Sequence, residues 1–74
     1  MSEESEKFWK ACARGDEGDV RSIINDPTKY SNIDFNHKSG KKEDPPITMA
    51  ARNNHIGIVC MLVEKSQELK IDLN

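Results

Sequence analysis

One segment of this chain is written twice. Residues 8–24, FWKACARGDEGDVRSII, align without a gap on residues 47–63, ITMAARNNHIGIVCMLV, an offset of 39 that carries residue 8 onto residue 47. Each copy is followed by an apolar-Asp-apolar-Asn box, Ile33-Asp34-Phe35-Asn36 after the first and Ile71-Asp72-Leu73-Asn74 after the second. A unit of this length that recurs buries its apolar face against its neighbour, so the duplication points to a stacked solenoid rather than a closed globule.

Within each copy the apolar residues fall at helical spacing. Phe8, Ala11 and Cys12 form one stripe and Val20, Ile23 and Ile24 a second. Gly15-Asp16 interrupts them. Asp16 is placed to cap the second helix, because its carboxylate can accept free N–H groups of the first turn, and Asp19 adds negative charge at the positive end of the helix dipole. Pro27 then ends that helix, having no N–H and restricting the residue before it. The second copy repeats the plan with Ile47, Ala50 and Ala51, then Val59, Leu62 and Val63. There Asp44 is expected to cap, with Pro45-Pro46 suited to a first turn. The small pairs Ala11-Cys12 and Ala50-Ala51 mark where helices approach closely. Between the copies, alternation followed by Ser39-Gly40 reads as an extended arm that turns back at Gly40.

Composition bounds the class. At 74 residues the chain is one domain, 1–74, with a thin core. Its two cysteines, Cys12 and Cys60, form no disulfide framework, so reduced thiols in the cytoplasm are expected, with the nucleus as the alternative. The acidic start Met1–Lys7 does not resemble a secretory signal. The apolar run ending at Val63 falls far short of the roughly twenty residues of a membrane helix. A net charge of −2 argues against general nucleic-acid binding. The charge is uneven, however: the segment up to Asp26 is acidic, whereas His37-Lys38-Ser39-Gly40-Lys41-Lys42 is a local basic cluster.

The second copy resembles an ankyrin repeat. That family's consensus opens with Thr-Pro-Leu-His-x-Ala-Ala and continues through x-x-Gly-His-x-x-x-Val-x-x-Leu-Leu to Ala-Asp-Val-Asn. Pro45-Pro46-Ile47-Thr48-Met49-Ala50-Ala51, then Arg52-Asn53-Asn54-His55-Ile56-Gly57-Ile58-Val59-Cys60-Met61-Leu62-Val63, and Ile71-Asp72-Leu73-Asn74 answer it. The first copy is weaker at its start but keeps Ala11, Gly15, Val20, Ile23, Ile24 and its box. Pro45 and Thr48 replace the family's Thr and His, and Asn54 replaces the turn glycine, which Asn tolerates because it accepts left-handed geometry. Loops around residues 26–32, 38–43 and 65–70 stretch the period beyond the family's 33. The resemblance implies an all-α fold: an ankyrin-type helix-turn-helix stack with a projecting hairpin loop, repeat 1 at about 5–36, a basic finger at 37–43 and repeat 2 at about 44–74.

The resemblance also implies function. Ankyrin repeats are non-catalytic platforms for protein-protein interaction, and they meet partners through hairpin tips and the outward positions of each first helix. Carried over by position, this implicates Arg14, Arg52 and Asn53 on the first helices and His37, Lys38, Ser39, Lys41 and Lys42 on the finger. The partner expected is another protein, with an acidic or phosphorylated segment suited to the lysines and arginines. The plainer account is that the lysines keep an exposed loop soluble. A basic finger that binds phosphorylated or nucleic-acid ligands is the alternative function. No cofactor, metal or catalytic group is expected: Cys12 stands where the repeat wants a small buried residue, His55 where the family has its turn histidine, and no Cys-x-x-Cys or His-x-x-x-His pair occurs. Trp9 reads as a shield for the core edge. Tyr30, in a long loop, has no assigned role.

About three repeats are normally needed for a stable stack, and two are present. The chain is therefore expected to be the N-terminal part of a longer array, or to close an open face around Ile58, Met61 and Leu62 by self-association or with another protein.

Overall fold

A computed structural model describes residues 3–26, 28 and 32–73, and within them every regular element is helical. The helices are α1 (Glu3–Arg14), α2 (Glu17–Ile24), α3 (Pro46–Arg52), α4 (Ile56–Glu64) and α5 (Ser66–Leu69). The expected stops and boxes at Pro27 and Asn74, and Tyr30, lie outside the described residues. No described helix is long and apolar enough to cross a membrane.

Local chemistry sets these limits. Glu3, Glu4 and Glu6 occupy the first turn of α1 and Arg14 its last, each sign opposed to the end of the dipole it faces. Asp16 caps α2, its Oδ1 accepting from Asp19 N at 3.1 Å. Pro46 opens α3 at a position where a missing N–H costs nothing, while the N-cap is Pro45. Asp44 does not cap α3 as expected, because its carboxylate lies 3.3 Å from Arg52 Nε instead.

The two copies carry the same turn. Gly15 and Asn54, 39 positions apart, are both left-handed at φ 80° and 63°. Asp16 N donates to Ala11 O at 3.0 Å, and His55 N to Ala50 O at 2.8 Å, the six-to-one bond of a Schellman ending. The next helix starts alike: Val20 N donates to Asp16 O and Val59 N to His55 O. A third ending of this kind closes α5, where Lys70 is left-handed and Ile71 N reaches Ser66 O at 2.9 Å. Residues 65–70, expected as a lengthened loop, thus contain a one-turn helix that buries Leu69.

Helix α1 packs mainly on α3, and α2 packs on α1 and, less extensively, on α4. Phe8, Ala11 and Cys12 meet Ala50 in one layer; Val20 and Ile24 meet Ile58 and Leu62 in the other; Ile33, Phe35 and Ile71 close the side. Phe8 and Phe35 pack edge to face, centroids 5.0 Å apart and planes at 86°. Ala11, Cys12 and Ala50 occupy the close approach as their size suggests, but Ala51 is exposed. Of the open face expected around Ile58, Met61 and Leu62, Ile58 and Leu62 are fully buried and Met61 is half-buried, while Ile56, Val63 and Leu73 are the large apolar residues left exposed among the described residues. A helix that is apolar nearly all round gives no sequence signal for which stripe turns inward, and packing on α2 selects the i, i+4 pair Ile58 and Leu62.

Candidate binding surface

Residues 39–44 form a small hairpin. Ser39 and Asp44 exchange both backbone bonds, Ser39 N to Asp44 O at 3.2 Å and Asp44 N to Ser39 O at 3.1 Å, and Gly40 turns the chain at φ 82°. Trp9 of α1 holds this hairpin from below, its Nε1 donating to Asp44 O at 2.6 Å. Gly40 lies on the ring, where a Cβ would stand 3.2 Å from Cζ2 and Cη2. Trp9 is half-buried and serves as the hairpin's anchor; the partly buried residues packed against the core are instead Ile23, Ile47, Val59 and Met61.

Glu6 supplies the second tie. One carboxylate oxygen accepts from His37 Nε2 at 2.8 Å, and both accept from Ser39 Oγ at 3.1 and 3.0 Å. These donors favour the ionised form, His37 most of all, and hold the Glu6 carboxyl below its usual pKa against a smaller opposing effect of burial. His37 and Ser39 are therefore turned toward α1 rather than presented on a projecting finger; the His37 side chain is only 13% exposed. Serine, histidine and acid meet here, but hydroxyl and imidazole both donate to the same carboxylate, so the imidazole is not the acceptor of the Ser39 hydroxyl proton as it is in a Ser-His-acid relay.

The other expected contact residues divide in two. Asn53 Nδ2 donates to Ala13 O at 2.9 Å, and His55 Nε2 to the same carbonyl at 3.1 Å, so both fasten the second copy to the end of α1. Arg14 sits between Asp16 and Asp19 at 3.4 and 3.7 Å. Arg52 is half exposed and steered by Asp44. Lys38, Lys41 and Lys42 are exposed and, like Lys10 and Lys70, make no ion pair among the described residues, whereas Lys7, Arg14, Arg21, Arg52 and Lys65 do.

Lys41, Lys42, Arg52 and Asn53 meet around an open depression of about 350 Å³ between the hairpin and α3, lined also by Trp9 and Met49. Lys38 lies beside a different depression, with Asn36, Thr48 and Asp72, and neither cavity includes Arg14. The chain matches no known family model, no curated protein and no solved structure.

The Cys12 thiol is buried, and burial pushes its pKa up to about 12, far from a reactive thiolate. Cys60 is exposed on α4, away from the depression. Among the described residues no cluster of three or more His, Cys, Asp or Glu could hold a metal ion. Sequence reasoning missed Glu6, Asp44 and Met49 as parts of this surface. Glu6 acts across 31 positions, a pairing no local pattern announces.

Proposed function

We propose that this chain is a non-catalytic protein-interaction module, an ankyrin-type two-repeat stack that docks an acidic or phosphorylated segment of another protein on its hairpin and α3. The matched turns of the two copies support the repeat architecture. The observation that carries the function is charge: Lys41 and Lys42, which make no ion pair among the described residues, stand beside Arg52 on a hairpin tied to α1 by Trp9 and Glu6. A preordered basic surface gives up little freedom when an anion arrives, and charge-assisted bonds to carboxylate or phosphate are the strong ones.

The test is fluorescence anisotropy of labelled acidic, phosphorylated and uncharged peptide pools with the full chain and with its Lys41→Glu/Lys42→Glu variant. Selective retention of anionic peptides, lost in the variant, is the expected result. Retention that ignores the two charge reversals overturns the proposal. Stronger capture of single-stranded DNA than of any peptide, falling steeply with salt, would favour the nucleic-acid alternative.

A further inference from the structure

We propose that the depression between the hairpin and α3 is a seat for one phosphotyrosine side chain of a partner protein; this rests on the reading of that surface as a dock for an anionic segment, and narrows it. Its lining residues differ in kind. Trp9 and Met49 both line it, an indole and a thioether, side chains that pack favourably on an aromatic ring. Lys41, Lys42 and Arg52 stand around them with Asp44, three cations against one carboxylate, a net charge of +2. A phosphate monoester carries about −1.5 to −2 at neutral pH, so the lining matches one such group and exceeds a single carboxylate.

The seat is built before a ligand arrives. Trp9 cannot turn without breaking its 2.6 Å bond to Asp44 O, and Gly40 closes one edge of its ring. Asp44 engages Arg52 through Nε at 3.3 Å and so aims a guanidinium that has further N–H groups to give. A phosphoserine would reach the cations but leave the indole and thioether wet. An extended nucleic-acid strand would need a row of such sites along a chain whose net charge is −2.

Trp9 is the chain's only tryptophan, so its emission reports the seat directly. The full chain is titrated with four probes: a five-residue glycine-flanked phosphotyrosine peptide, its phosphoserine and unmodified tyrosine counterparts, and an oligothymidylate. The expected result is a saturable change in emission, about tenfold tighter for phosphotyrosine than for phosphoserine, the size of one aromatic pair with the apolar area it covers. The Lys41→Ala/Lys42→Ala variant should lose most of that affinity with an unchanged circular dichroism spectrum, since both side chains are exposed and make no ion pair among the described residues. Equal affinity for the two phosphopeptides overturns the phosphotyrosine seat and leaves the anionic dock standing. Tighter binding of oligothymidylate, or no response to any probe, overturns the seat as well, and the peptide-pool experiment then decides separately whether an anionic segment docks at all.

Discussion

The imidazole of His55 lies directly over Gly15: a Cβ built on Gly15 would stand 2.5 Å from His55 Cε1 and 2.6 Å from Nδ1. Gly15 also has φ 80°, a conformation that costs an L side chain about 1–2 kcal/mol. Gly15→Ala should therefore destabilise the fold by about 1–3 kcal/mol, with His55 displaced from Ala13 O. Gly18→Ala is the control. Gly18 is exposed within α2, and its Cβ would meet only Asp16 Oδ1 at 3.7 Å, so alanine there should stabilise by about 0.5–1 kcal/mol. Urea denaturation of both variants checks the contrast, and equal effects would refute this account of Gly15.

Glu6 makes stability depend on pH in a definite direction. Its folded pKa lies below the unfolded value of about 4.3, chiefly because His37 and then Ser39 donate to the carboxylate. The stabilisation is thus present above the unfolded pKa and is lost as pH falls through the folded one. Glu6→Gln removes that dependence, so the stability lost between pH 6 and pH 3 should be smaller in the variant than in the natural chain. The carboxylate is 37% exposed and partly screened, which keeps the effect modest. Identical losses in the two proteins would show that the hairpin tie contributes nothing through Glu6.

What was legible from the sequence was local. Asp16 could be named as a cap because its partner N–H lies three residues away, and the breaks at Gly15 and Asn54 follow from conformational preferences of those residues alone. Helix α5 was not legible, since four residues carry no periodicity. Long-range choices were equally hidden. Nothing within a few positions of Asp44 says that Arg52 will take its carboxylate in place of the α3 N-terminus, and nothing near His37 or Ser39 says that Glu6 will turn both inward. The lysines were legible as a basic cluster, but the apolar part of the lining beside them came from Trp9 and Met49, each of which sequence pattern alone assigns to packing or leaves unremarked.

The two thiols should differ by orders of magnitude in reactivity. Cys60 is exposed on α4, whereas Cys12 is wholly buried and its thiol is pushed up to about 12. A chromogenic disulfide reagent at neutral pH should titrate one thiol rapidly, identified as Cys60 by mass spectrometry. The second should react only as fast as the fold opens, and in urea the two rates should converge. Rapid labelling of Cys12 in the folded chain would mean that the contact between α1 and α3 opens readily.

Asn36 clamps the first box to the second. Its Nδ2 donates to Lys70 O at 2.8 Å while its Oδ1 accepts from Asp72 N at 2.7 Å, so one amide satisfies both a carbonyl and an N–H at the far end of the second copy. Alanine at 36 removes both bonds at a surface where water can replace them, and a cost of about 1–2 kcal/mol follows from two ordinary hydrogen bonds. Aspartate separates the two roles. A carboxylate at 36 can still accept from Asp72 N, but it cannot donate to Lys70 O and sets negative charge against that carbonyl. Asn36→Asp should therefore be no more stable than Asn36→Ala above the carboxyl pKa, and should recover stability as pH falls and the acid regains a donor. Amide hydrogen exchange gives the local check. Protection at Asp72 should fall sharply in Asn36→Ala and only slightly in Asn36→Asp, and comparable loss in both variants would mean that Oδ1 is not what holds the second box in place.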